Sequence, residues 1–203
     1  NLEVLKQKVE EKILIKNNYN LFKKVLLSQY TKNKIKSVVF IGMPGTGKST
    51  LSKIISNFGF DMVELDEYIE TKHQMTLFEL IDKYGDDGFK KIEEEAIMSV
   101  EFNEPKVIST GGSVIYSSKG MEYLKSENNW IIYLNTSFRK LVDRTDNFTN
   151  RGIVFNGKSR KELFNERHIL YQKYCDFEII TNNLSANEVS NIILNSIFMK
   201  RII

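Results

Sequence analysis

Nine consecutive residues, Gly42-Met43-Pro44-Gly45-Thr46-Gly47-Lys48-Ser49-Thr50, carry the strongest chemical signal in the chain. Gly42, Gly47, Lys48 and Ser49 meet the pattern of a glycine, four residues, then glycine-lysine-serine or threonine, which turns backbone N–H groups toward phosphate oxygens. The apolar run Ser37 to Gly42 precedes the motif and a run with helical spacing, Ser49 to Asn57, follows it, so the motif opens a helix whose N-terminus adds positive potential. In that setting Gly45, Thr46, Gly47, Lys48, Ser49 and Thr50 wrap the phosphates of ATP or GTP. Lys48 reaches the outer phosphates and the Ser49 hydroxyl can ligate Mg2+. Switches, motor ATPases and small-molecule kinases all share this cradle. A short chain, without a second strand of four apolar residues ending in an acid, tilts the reading toward a small kinase.

A second signal stands where the run Phe60 to Glu64 ends: Glu64 and Asp66, two residues apart, can both point into a cleft at a strand's carboxyl end. Glu64 reads as the metal-side carboxylate, holding Mg2+ through water, and Asp66 as the group that orients or deprotonates the hydroxyl being phosphorylated. The plainer alternative makes Asp66 a helix cap and Glu64 a solvated acid.

The elements that must position these groups alternate along the chain. Short β-rich runs, Ser37 to Gly42, Phe60 to Glu64, Lys106 to Ser109, Trp130 to Asn135 and Phe177 to Thr181, are separated by helical patterns. The helical patterns follow Gly47, run from Asp66 through Ile81, cover Phe89 to Glu101, and resume near Phe138, Arg160 and Ala186. The alternation predicts an α/β fold: a five-stranded parallel sheet with helices on both faces and binding groups at the carboxyl ends of its strands. Residues 1–36 read instead as a helical N-terminal extension of two short amphipathic helices, with Leu2, Leu5, Val9 and Ile13 on the first and Leu21, Phe22, Val25 and Leu26 on the second. Residues 37–203 form one domain.

Composition narrows the function classes. With 203 residues, 27% of them charged, and a formal net charge of +3, the chain has no dedicated nucleic-acid surface. A single cysteine, Cys175, and the mixed lysines and glutamates of the first residues predict a cytoplasmic protein. No apolar run reaches the roughly 18 residues of a membrane span. His73 and His168 lie far apart without metal-site spacing, so no zinc site is expected.

Several ordered motifs between about Lys36 and Ser196 resemble the shikimate kinase family, a branch of the nucleoside-monophosphate-kinase-like P-loop proteins. After the cradle come Leu65-Asp66-Glu67-Tyr68-Ile69-Glu70, similar to the family's acid pair, and the run from Gly85 to Glu93, similar to its G-E-x-x-F-R-x-x-E stretch. Ile108-Ser109-Thr110-Gly111-Gly112-Ser113 is similar to its triple-glycine turn. The segments around Arg144 and Asn150-Arg151-Gly152, and Arg167 through Tyr171 to Asp176, are similar to its adenine-side, lid and R-x-x-x-Y-x-x-x-x-D segments. The resemblance implies transfer of the ATP γ-phosphoryl group to the 3-hydroxyl of shikimate, with ATP and Mg2+ as cofactors, a small-molecule partner, and a monomer or weak dimer. By the same resemblance Arg144 lies at the nucleotide, Arg151 sits on a lid at about 145–159 and closes over the phosphates, and Lys48, Asp66 and Arg151 are catalytic. Lys90, Gly111, Gly112 and Arg167, with Asp66, hold the substrate.

This sequence departs from the family pattern at three places. Lys90 stands where the family has arginine, Ser113 replaces the third glycine, and Arg151-Gly152-Ile153 replaces arginine-proline-leucine. Lysine keeps the charge but loses the planar fork that grips a carboxylate with two parallel bonds. A same-fold kinase for another small polyol or sugar acid, or a non-catalytic nucleotide-binding protein, therefore stays open at this point. Lys90, Lys91 and Glu93 to Glu95 also read as an ordinary solvated helix face.

Overall fold

The computed structural model describes residues 37–127, 129–144 and 152–199. The expected N-terminal extension, Arg151 and the first part of the expected lid lie outside the described residues. Five strands, β1 (Val38–Ile41), β2 (Asp61–Glu64), β3 (Lys106–Ser109), β4 (Trp130–Asn135) and β5 (Phe177–Ile180), form one sheet in the order β2-β3-β1-β4-β5. Every pairing is parallel, with Val39 opposite Ile108 on one side and Ile131 on the other. Seven helices complete the described residues: α1 (Lys48–Ser56), α2 (Leu65–His73), α3 (Leu77–Met98), α4 (Ser118–Ser126), α5 (Phe138–Arg144), α6 (Arg160–Tyr174) and α7 (Ala186–Met199).

Side chains alternate across a strand, so β1 feeds two cores. Val38 and Phe40 pack with Leu51 and Ile55 of α1 and Val189 and Ile193 of α7. Val39 and Ile41 pack on the opposite face with Leu65, Ile69, Leu80, Phe89, Ile97, Leu124 and Tyr171. Burial on both faces explains why β1 and β4 read as unbroken apolar runs.

The helical pattern expected from Asp66 through Ile81 is two helices. Gln74, at φ 53°, ends α2 in the left-handed region, and Thr76 starts α3 with a capping box in which Thr76 and Glu79 satisfy each other's backbone N–H groups. The run expected from Phe89 joins α3, which bends at Gly85, where φ is 69° and ψ 174°. The sequence reading missed α4 and the short 3-10 turn Val114–Tyr116. Gly120 inside α4 weakens the periodic signal, and the Ser117 hydroxyl, accepting from the Gly120 N–H, compensates locally.

Candidate active site

All five strands end on one side of the sheet, and the cavity there has a volume of about 530 Å³. Its wall includes Gly45, Gly47, Lys48, Ser49 and Thr50 from the β1–α1 turn, Asp66 from α2, Glu93 from α3, Gly111 and Gly112 after β3, Arg144, and Arg167 from α6. The 119 positions in sequence between Lys48 and Arg167 are thus closed by strand ends and helix starts.

The cradle is formed. Gly42, at φ +148°, lies so close to β4 that an added Cβ would stand 2.8 Å from the Leu134 carbonyl oxygen, so only glycine lets the turn leave β1 here. Thr46 is buried and its hydroxyl donates to the Met43 carbonyl at 2.9 Å. The Lys48 ammonium donates back to Gly42 O at 2.8 Å and Met43 O at 3.0 Å, which arches the loop around it. Burial lowers the Lys48 pKa to about 8, against the raising influence of Asp66 and Glu64. A polyphosphate in the cradle would hold that amine charged.

Ser49 stands at the cavity mouth, and its hydroxyl donates to Glu64 Oε2 at 2.9 Å, with the Ser109 hydroxyl 3.4 Å away. Glu64 Oε1 is buried without a hydrogen-bond partner, and burial pushes the Glu64 pKa upward against the bonds from Ser49 and Ser109. A hydroxyl, a carboxylate oxygen with spare lone pairs and an adjacent phosphate cradle form an all-oxygen donor set that suits Mg2+. Among the described residues no three His, Cys, Asp or Glu side chains cluster as a metal cage. Mg2+ at nucleotides requires none, because one or two carboxylates, phosphates and water complete its shell.

Asp66 does not cap α2: Glu64 occupies the cap position without a side-chain bond, and Asp66 lies in the first turn with Oδ1 buried and unpartnered. Burial raises the Asp66 pKa, Lys48 opposes the rise, and Glu70 adds to it. Gly111 backs this carboxylate so closely that an added Cβ would stand 3.0 Å from Asp66 Oδ1 and would collide with Glu93 Oε1. At Gly112 an added Cβ would stand 3.0 Å from Arg167 Nη1. The two glycines therefore let acids and a cation converge on one turn.

Arg167 is 1% exposed. Its Nη2 donates to Val154 O at 2.6 Å and its Nε to the Tyr116 hydroxyl at 3.4 Å, with the guanidinium 5.3 Å from the Tyr116 ring centre. Tyr171, one helical turn on, donates to Gly112 O at 2.6 Å and ties α6 to the glycine turn. Arg144 reaches the cavity from an exposed position at the end of α5.

Lys90 is not brought into the cavity wall. Its ammonium donates to Asp87 Oδ1 at 3.0 Å and Asn156 Oδ1 at 2.8 Å and stands 5.2 Å from the Tyr116 ring centre. Arg167 approaches the same ring, so Lys90 is one aromatic ring away from the site rather than in it.

Glu93 is the residue that sequence reasoning passed over. Placed among solvated acids in the sequence, it is 4% exposed, with Oε2 unpartnered. Burial pushes its pKa up to about 8 despite a bond from Ser113 and the nearby Arg167 and Lys48. The signal was its spacing: Phe89 and Glu93 are four apart on one helix face, and Phe89 is 1% exposed.

Comparison with known proteins agrees with this geometry. A profile described as "Shikimate kinase" matches residues 44–198. The shikimate kinase of Thermodesulfovibrio yellowstonii is 37% identical over 164 residues, covering 79% of this chain and 94% of that protein. The shikimate kinase of Clostridium botulinum (strain Alaska E43) is 36% identical over 160 residues, covering 78% and 93%. In fold the chain is similar to the shikimate kinase from Acinetobacter baumannii solved in complex with shikimate, with a TM-score of 0.74 and 22% identity over 85% of this chain and 98% of that one. With a profile match spanning most of the chain and close relatives aligned nearly end to end, this protein belongs to the shikimate kinase family.

Proposed function

We propose that this chain transfers the γ-phosphoryl group of ATP to the 3-hydroxyl of shikimate, giving ADP and shikimate 3-phosphate on the route to chorismate and the aromatic amino acids. The observation that carries the reading is the Asp66 carboxylate, its buried Oδ1 unpartnered, in one cavity with the Lys48 cradle and Arg167. Shikimate asks for this set of groups: a carboxylate that an arginine can hold and a hydroxyl that must be turned toward the phosphate.

Arg167 binds the shikimate carboxylate through the guanidinium edge at Gly112, and Lys90 supplements the charge. Gly111 and Gly112 let the ring approach the backbone. Asp66 accepts the hydrogen of the 3-hydroxyl; as that O–H bond breaks, the oxygen bonds to the γ-phosphorus and the bridging oxygen leaves with ADP. Lys48 offsets charge on the phosphates, and Arg144 and Arg151 contribute cations at the nucleotide side. Ser49 and Glu64 would hold Mg2+, which when bound offsets charge on the β- and γ-phosphate oxygens. The reading carries with it a cytoplasmic enzyme, monomeric or weakly dimeric, without a nucleic-acid partner. Among the described residues no helix is long and apolar enough to cross a membrane.

A coupled assay of ADP release tests it, with shikimate beside related polyols and sugar acids. Shikimate-dependent turnover is expected, and Asp66→Ala is expected to lower kcat by about 10²-fold or more. Turnover on another acceptor in the panel, with none on shikimate, would overturn the substrate; near-normal kcat in Asp66→Ala would overturn the role of that carboxylate.

A further inference from the structure

The two cations given to the acceptor's carboxylate are also the two that fasten the loop entering α6. Arg167 donates to Val154 O at 2.6 Å, Lys90 donates to Asn156 Oδ1 at 2.8 Å, and the Asn156 N–H donates to Asp86 Oδ2 at 2.7 Å. These contacts differ in what an arriving carboxylate can take. Asp86 accepts from backbone and is an anion itself, so an acceptor does not compete with it. Arg167 spends Nη2 on Val154 and Nε on Tyr116, while Nη1 stays at the Gly112 edge. Lys90 has its ammonium on a neutral amide oxygen and on Asp87, whose side chain is 94% exposed and whose ion pair is therefore weak.

We propose that Asn156 sets the affinity for the acceptor by competing with the acceptor's carboxylate for the Lys90 ammonium. The two cations share the Tyr116 ring, at 5.2 Å and 5.3 Å from its centre, so an anion on the Arg167 edge comes within reach of a lysine whose stem can turn. A carboxylate outbids a neutral amide because it adds the attraction of a full negative charge to a bond that the ammonium already strengthens. Binding must still break the Lys90–Asn156 contact, and that cost weakens the complex. The Lys90 ammonium has three donors but stands outside the cavity wall beside Asn156, so reaching an acceptor at Arg167 carries it away from that amide, whereas the broader fork of an arginine at position 90 could span both. Asn156 thereby acts as a positioning residue through Lys90.

This rests on the reading of Lys90 as an acceptor contact, and the experiment separates the two. Asn156 has φ 50°, a conformation open to glycine, so Asn156→Gly removes the amide while leaving the N–H bonded to Asp86. Shikimate binding is measured by calorimetry on the full chain, for the native protein, Asn156→Gly, Lys90→Met and the double variant. Asn156→Gly is expected to lower the shikimate Kd about three- to tenfold, the net range of one ordinary intramolecular hydrogen bond. In the Lys90→Met background it is expected to change nothing. A merely structural loop residue gives the opposite sign, a raised Kd, in both backgrounds. An unchanged or raised Kd in Asn156→Gly overturns the competition alone if Lys90→Met weakens binding. If Lys90→Met leaves the Kd unaltered, Lys90 does not hold the acceptor and both readings fall.

Discussion

Around Gly111, burial decides the ionisation of side chains whose types alone would suggest ordinary acids. Glu93 has its pKa pushed up to about 8, above the 4.5 of an unperturbed glutamate. Between those two values the folded protein binds more protons than the unfolded chain, so this group's contribution is fully present below 4.5 and is lost as pH rises through about 8. Glu93→Gln removes that dependence while keeping the shape. Its melting temperature relative to the native protein is therefore expected to climb from pH 5 to pH 8 and to level off beyond. A difference independent of pH would mean that Glu93 is ionised in the folded protein. Lys48 tests the neighbouring charge: Lys48→Ala is expected to lower kcat by about 10²- to 10³-fold, the scale of losing one donor aimed at developing charge. Since its ammonium also holds Gly42 O and Met43 O, circular dichroism must first confirm that the cradle variant is folded.

Single elements place these side chains, and the bend in α3 illustrates how. Gly85, at φ 69° and ψ 174°, occupies a region essentially restricted to glycine, and a Cβ there would meet nothing within 4 Å. Gly85→Ala is thus a pure backbone test, expected to lower stability by about 1–3 kcal/mol in urea denaturation. A cost near zero would mean the bend is not needed. The same bend marks the limit of what was legible in the sequence. The glycine cradle, the acid pair and all five strands were legible because they are local patterns: a motif of nine residues, or an apolar run bounded by polar ones. The break between α2 and α3 depended on a left-handed Gln74 and the Thr76 cap, each a one-residue event that periodicity averages away. Glu93 was read as solvated because three consecutive glutamates resemble a surface, and only the packing of Phe89 against the core turns one of them inward. Lys90 differs in the opposite direction: its position matches a substrate contact, and Asn156, distant in sequence, holds its ammonium outside the cavity wall.

At the scale of the whole molecule the cavity joins parts that also share the core beneath it, where Leu65, Phe89 and Tyr171 pack in one cluster. The β1–α1 turn supplies Lys48 and Ser49, α2 and α3 supply Asp66 and Glu93, and α6 supplies Arg167. Asp66 Oδ1 and Glu93 Oε2 are buried in the cavity wall without hydrogen-bond partners, and Glu64 Oε1, beside Ser49, is likewise buried and unpartnered. Ligands that satisfy them stabilise the folded protein by mass action. At a hundred times its Kd, a single ligand adds about 2.7 kcal/mol. For a domain of this size that raises Tm by roughly 5–10 °C. Shikimate alone, and a non-hydrolysable ATP analogue with Mg2+ alone, are each expected to raise Tm by that amount in differential scanning calorimetry. Together they are expected to raise it by at least the sum, because the second ligand meets parts that the first has already brought to rest. A shift from the nucleotide with none from shikimate would show that shikimate alone does not bind the folded protein. A combined shift below the sum would show that the two ligands compete for one space, which direct transfer between them does not permit.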